Sequence, residues 1–238
     1  MFFIYDDKNS NDFHIKIRKV NNLNSSQIKY EKIEIPGKNG EFLNSNNCFS
    51  NFLLEIECSL DARKTKNINE LSGEIKKWLL TNLSYKKLII SNDSEYYYEA
   101  ICCNKLDFEH IIRNYKHFVI TFECKPFKKH LHGDNKIILT KSSTLYNNNL
   151  VSNPYIKIVG NGDITININN QKLILKNIED EIEIDCEIMN AYKNVNNKII
   201  LQNNKMYSDF PVLEEGKNDI SWTGNVTRLE ITPRWVML

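Results

Sequence analysis

Apolar and polar residues trade places one for one along most of this chain. A period of two puts alternate side chains on opposite faces, as a half-buried strand requires, whereas a helix needs a period of 3.6. Ile15 and Ile17 follow Phe13 in alternation with His14, Lys16 and Arg18, and Leu54, Ile56, Cys58 and Leu60 alternate with Glu55, Glu57 and Ser59. The pattern returns at Phe118, Ile120, Phe122 and Cys124, and again at Ile182, Ile184, Cys186 and Ile188, which alternate with Glu183, Asp185 and Glu187. Between such stretches lie Gly, Pro, Asn and Asp, the residues that reverse a chain. The fold class expected is mainly β, with many short strands.

One segment breaks the pattern. Ile68, Leu71, Ile75, Trp78 and Leu79 fall at helical offsets and make one apolar stripe, wide enough to pack on a sheet and too narrow for full burial. The spacing predicts a helix over 68–81 that covers a sheet face. Asn67 with Glu70 resembles a capping box, and Lys76 and Lys77 suit the negative end of the helix dipole.

Two reversals stand out. A strand around Ile28 to Ile35 runs into Pro36-Gly37-Lys38-Asn39-Gly40 before Glu41-Phe42-Leu43 resumes an extended pattern, and turn formers packed this densely demand a tight hairpin tip. The second lies in Asn153 to Asn170. Asn153-Pro154 opens a new unit, Ile156 and Ile158 precede Gly160-Asn161-Gly162-Asp163, and Ile164, Ile166 and Ile168 follow. That spacing predicts a hairpin with one buried face.

At 238 residues the chain can hold two modest domains, each with its own core. Pro126 is expected to end a strand, 128–135 and 141–149 read as polar connectors, and the division is placed at 1–130 and 131–238. With no helical pattern after Thr81, the second part reads as a β-sandwich. The formal charge is +1, too small for a general field that would gather nucleic acid or an anionic membrane. Residues 1–150 hold 22 basic against 18 acidic residues, and 151–238 hold 9 against 12.

The search for chemistry yields no catalytic set. Gly160-Asn161-Gly162 supplies two glycines of a dinucleotide loop but precedes a strand, so the phosphate reading fails. His130 and His132 lack a third metal ligand at useful spacing. The acidic face at Glu183, Asp185 and Glu187 is expected to be solvated. Tyr96, Tyr97 and Tyr98 lack the Arg and Lys cluster of a base-stacking platform and read as cross-strand packing. The six cysteines have no regular spacing and are expected to be mostly buried thiols. No catalytic, cofactor-binding or metal-binding residues are therefore assigned. MFFIYDDKNS lacks a signal peptide's basic leader and cleavage site, and no window reaches the ~20 apolar residues of a membrane span.

Taken in order, several motifs resemble a known family, the distal tail proteins of long-tailed phages and prophages of Gram-positive hosts. They are Ile35-Pro36-Gly37-Lys38-Asn39-Gly40, Ile75-Lys76-Lys77-Trp78-Leu79, Phe122-Glu123-Cys124-Lys125-Pro126, Pro154 to Ile164, Phe210-Pro211, Gly216-Lys217-Asn218 and Pro233-Arg234-Trp235. Asn161 stands where a serine is expected. The resemblance implies an N-terminal β-domain that forms a homo-hexameric ring and a galectin-like sandwich after it. It also implies a virion protein at the distal end of the tail, made in the host cytoplasm, without enzymatic activity, cofactor or membrane contact. Its partners would be the tail tube protein, a tail-associated tip protein and receptor-binding adhesion proteins, with DNA only in transit through the lumen. The Pro36 to Gly40 tip is the candidate assembly interface. A different reading, a carbohydrate-binding module in the sandwich, rests on Trp222 and Trp235.

Overall fold

The computed structural model describes residues 1–21, 26–61, 68–81, 83–103 and 117–238, with the backbone alone at 47 and 68. The expected cap at Asn67 falls outside the described residues, as do Leu106, Phe108 and Ile112, whose apolar spacing reads as one more strand. The chain divides into two compact units, Met1–Lys128 with Leu238, and Lys129–Met237. Strands dominate both, and the first holds the one α-helix among the described residues.

In the first unit the strands are β1 (Phe3–Tyr5), β2 (Lys8–Asn9), β3 (Ile15–Asn21), β4 (Ile28–Glu34), β5 (Glu41–Phe49), β6 (Phe52–Leu60), β7 (Lys86–Ile90), β8 (Tyr96–Cys102) and the first part of β9 (His117–His130). Seven of them form a sheet in the order β2-β1-β7-β8-β9-β6-β3. The alternation does what it predicted: Leu54, Ile56, Cys58 and Leu60 lie buried beside Ile120, Phe122 and Cys124, while Glu55 points the other way. Phe13 leaves the strand pattern for a 3-10 turn over Ser10–Phe13. There its ring stacks on Trp78 at 4.4 Å.

Helix α1 (Ile68–Leu80) lays Leu71, Ile75, Trp78 and Leu79 on this sheet, all buried. Trp78 is its anchor, stacking on Phe3 at 5.5 Å and donating its indole N–H to the Tyr5 carbonyl at 2.8 Å. A buried indole needs such an acceptor, because an unmet N–H in the core is costly. Burial of each large apolar side chain contributes roughly 1.5–3 kcal/mol, so the stripe fastens the helix. The strand leading to Pro126 does not stop there: β9 runs on to His130, and the Pro126 carbonyl accepts a bond from the Ser26 hydroxyl at 2.9 Å.

The second unit contains β10 (Ile137–Leu139), β11 (Ser143–Asn147), β12 (Tyr155–Ile168), β13 (Gln171–Ile178), β14 (Glu181–Asp185), β15 (Asn190–Val195), β16 (Lys198–Leu201), β17 (Gly216–Thr232) and β18 (Val236–Met237). Part of the expected 141–149 connector is thus strand β11.

The predicted hairpin in Asn153 to Asn170 is a single bent strand, β12. Its first half pairs with β14 and the last part of β17, and its second half with β13 and the first part of β17. The two strands stay paired along their length, with register shifts at Val159/Gly160 and Asn161/Thr165 that mark the corner. Ile156, Ile158, Ile164, Ile166 and Ile168 all keep to the core side of the bend. The glycines serve the corner instead of a turn. A Cβ on Gly160 would stand 2.3 Å from the Asn225 carbonyl oxygen, and one on Gly224 2.4 Å from that of Asp163. Asn161 and Asp163 hold the neighbouring loops, their side-chain oxygens accepting from the Asp180 and Asn177 N–H groups, each at 3.0 Å.

Candidate assembly site

β4 and β5 form a ribbon of their own. They pair antiparallel from Glu34↔Glu41 back to Ile28↔Phe49 and belong to a separate two-stranded sheet. Seven residues at ~3.3 Å each make β4 ~23 Å long. The ribbon is fixed at its base in three ways: Ser50 donates its N–H to Gln27, Ser26 reaches Pro126, and the Phe49 ring meets Phe127 edge-on at 5.2 Å. Beyond the base, every residue of β4 is exposed. Tyr30, Ile33, Ile35, Phe42 and Leu43 present 43–60% of their surface.

The predicted tip lies where expected. Pro36, Gly37, Lys38, Asn39 and Gly40 are all exposed at the end of the ribbon and, with Glu34, Ile35 and Glu41, line an open concavity. Gly37 and Gly40 take φ of +80° and +89°, conformations that L-residues rarely adopt, and the Lys38 N–H closes the reversal on the Ile35 carbonyl at 3.1 Å. Among the ribbon's charges Lys32 pairs with Glu41 across the strands at 2.9 Å, an exposed pair that contributes little. An isolated two-stranded ribbon is marginal in water, and its exposed apolar side chains gain by burial against another surface. These side chains suit docking against another surface.

Other residues singled out in the sequence find structural places. The His130 ring accepts from the His132 N–H at 3.0 Å, capping a 3-10 turn, and no group of three metal-binding side chains occurs among the described residues. Tyr97 is buried under Lys87, whose ammonium stands 4.4 Å from its ring centroid, so the tyrosines pack as expected. Trp222 and Trp235 are half-buried against the core of the second unit and offer no exposed pair of ring platforms. Cys58, Cys102, Cys124 and Cys186 are buried and Cys48 and Cys103 exposed; burial pushes the thiols of Cys58, Cys124 and Cys186 up to about 12. No described helix is long and apolar enough to cross a membrane.

The acidic strand corrects the sequence reading. Glu183 and Asp185 are buried, only 7% and 8% exposed. Arg234 forks onto Asp185 at 2.6 and 2.9 Å, and Lys157 reaches Glu183 at 3.2 Å and Glu181 at 2.8 Å. Burial alone would raise the Asp185 carboxyl, but the Arg234 guanidinium and the N–H groups of Ile188 and Glu187 outweigh it and hold the group below its ordinary value. These partners lie 26 and 49 residues away in sequence, so strand alternation carries no sign of them.

Two β units, each with its own core, and a self-paired apolar ribbon make up the described fold. The chain belongs to the family of the phage tail protein RIFT-related domain, whose sequence profile matches residues 3–124. No curated protein matches it in sequence. Among solved structures it is similar to the Dit protein of phage SPP1, a paradigm of the hub adsorption apparatus in phages that infect Gram-positive bacteria. The likeness has a TM-score of 0.73 at 14% identity and covers 100% of this chain and 99% of that one.

Proposed function

We propose that this protein is the distal tail hub of a long-tailed phage or prophage of a Gram-positive host. Six copies form a ring through the first unit, continue the tail tube, and carry the tail-associated tip protein and the receptor-binding adhesion proteins. The observation that carries the reading is the likeness to the SPP1 Dit fold through both units. The exposed ribbon supports it, because a ring needs a surface that reaches the next copy and apolar residues that become buried there. Pro36 to Gly40 are the proposed contact tip. The near-neutral charge suits a lumen through which DNA passes, since phosphate contacts would hold DNA regardless of its sequence. The role calls for no catalysis, cofactor or membrane anchor, and the second unit is proposed as a galectin-like sandwich standing outside the ring.

Two measurements test the proposal. Light scattering over a range of concentrations, with the neighbouring tube or tip protein added, is expected to show an assembly of six copies. Tails produced without the protein are expected to lack the tip and adhesion proteins; tails that keep them would overturn the reading.

A further inference from the structure

The buried charges of the second unit lead to a pocket. Tyr155 on β12 stands opposite Asp185 on β14 and Thr232 on β17, and Glu183 stands opposite Tyr192 on β15. These side chains therefore share the outer face of one layer. At the end of that face Asp134, Tyr155, Asp185, Tyr192, Thr232 and Arg234 line an open pocket of about 440 Å³, within the size range of small-ligand sites.

The groups in the pocket are held in place. The Arg234 guanidinium is locked by Asp185, lies 3.4 Å from Glu187, and sits 5.7 Å from the centroid of the Tyr155 ring. Burial, with the Glu183 carboxylate nearby, pushes the Tyr155 hydroxyl well above its ordinary value, and burial beside Glu183 and Asp185 raises that of Tyr192 as well. The backbone adds a second sign. Arg234 has φ +54°, a conformation that Asn, Asp and Gly visit easily and a long side chain does not. Its N–H is held by the Gly133 carbonyl at 2.8 Å, and a Cβ on Gly133 would stand 2.5 Å from the Trp235 nitrogen. Backbone strain kept this firmly is common at binding sites.

The chemistry narrows the occupant. An anion finds one guanidinium already committed to two carboxylates, with Asp134 beside it. A metal ion finds no set of three ligands. A purely apolar ligand would strip water from an ion pair. A neutral polyhydroxylated molecule meets none of these objections: each hydroxyl both donates and accepts, so neighbouring hydroxyls satisfy carboxylate and guanidinium together, and half-exposed tyrosine rings pack against the C–H faces of a sugar.

We propose that this pocket binds a neutral saccharide, with Asp185 and Arg234 as the polar pair and Tyr155 and Tyr192 as the aromatic wall. The proposal does not rest on the tail-hub reading, and its failure leaves the ring untouched.

The test is an NMR titration of the full chain with neutral mono- and oligosaccharides of glucose, galactose and N-acetylglucosamine, with inorganic phosphate alongside. At least one saccharide is expected to shift the pocket resonances with a dissociation constant of ~1 mM or tighter. Tyr192→Ala and Asp185→Asn are each expected to weaken it about tenfold or more. Thr232→Ala, a milder change in the same pocket, is expected to weaken it measurably and covers the case in which Asp185→Asn unfolds. Trp222→Phe is expected to leave binding unchanged. Absence of binding to every saccharide, binding of phosphate alone, or saccharide binding unaltered in folded Tyr192→Ala and Thr232→Ala would each overturn the proposal.

Discussion

Gly160 and Gly37 both mark bends in strand-patterned sequence, and their surroundings set them apart. Beside Gly160 the backbone of Asn225 fills the space a methyl group would need, while beside Gly37 no atom lies within 4 Å and the demand is for positive φ alone. Gly160→Ala is expected to cost ~2–4 kcal/mol, because rigid backbone must move. Gly37→Ala is expected to cost ~1–2 kcal/mol from the left-handed conformation. Urea denaturation of the two variants measures the difference, and equal costs would contradict the corner at β12 and β17. Asp185 makes a second residue-level prediction. Its carboxyl is held below the ordinary 3.8 in the fold, so its stabilisation is complete above that value and lost as pH falls through the lower, folded value. At neutral pH Asp185→Asn is expected to cost ~2–4 kcal/mol, since Arg234 loses a buried counter-charge. The gap between variant and wild type in thermal melts is expected to close as pH drops below ~4.

Among elements, α1 and β12 show what the sequence could and could not carry. The helix was legible because Leu71, Ile75 and Trp78 repeat at a spacing that a strand cannot place on one face. The aromatic pile of Phe3, Phe13 and Trp78 was not legible, for its members come together only through tertiary contact. The bend of β12 was misread as a turn because Gly-Asn-Gly-Asp serves a reversal and a close approach of strands equally well. What decides is the backbone facing Gly160, 65 residues on at Asn225. In the candidate site the Pro36 to Gly40 tip was legible from turn chemistry. That β4 and β5 would stand apart from the larger sheet was not, because alternation reports which side chains face inward but not which strand lies alongside. Trp78 gives the test at this scale. Trp78→Phe retains a stacking ring but leaves the Tyr5 carbonyl without its donor, an expected cost of ~1–3 kcal/mol; Trp78→Ala also opens a cavity, an expected ~3–5 kcal/mol. If calorimetry shows both near zero, α1 does not fasten the first unit.

For the whole molecule, the role proposed for the ribbon would connect stability to assembly. Its apolar residues contribute little to the isolated chain, where they are exposed, and their burial against another copy would recover roughly 25 cal/mol for each Å² removed from water. Changes there should therefore separate folding from association in a way that core changes cannot. Replacing Phe42 and Leu43 with Ser is expected to leave the melting temperature of the monomer within a few degrees of wild type, because neither side chain belongs to either core cluster. The same change is expected to weaken ring formation by about tenfold or more, since apolar anchors dominate contacts of this kind. Exchanging Pro36 to Gly40 for a flexible Gly-Ser loop of equal length asks whether the tip's shape matters as well as the ribbon's flanks. Sedimentation velocity at matched concentrations reads both variants. Six-fold assembly persisting undiminished in both would overturn the ribbon as the proposed contact and turn attention to the outer face of the larger sheet, where Leu53 and Val119 are exposed.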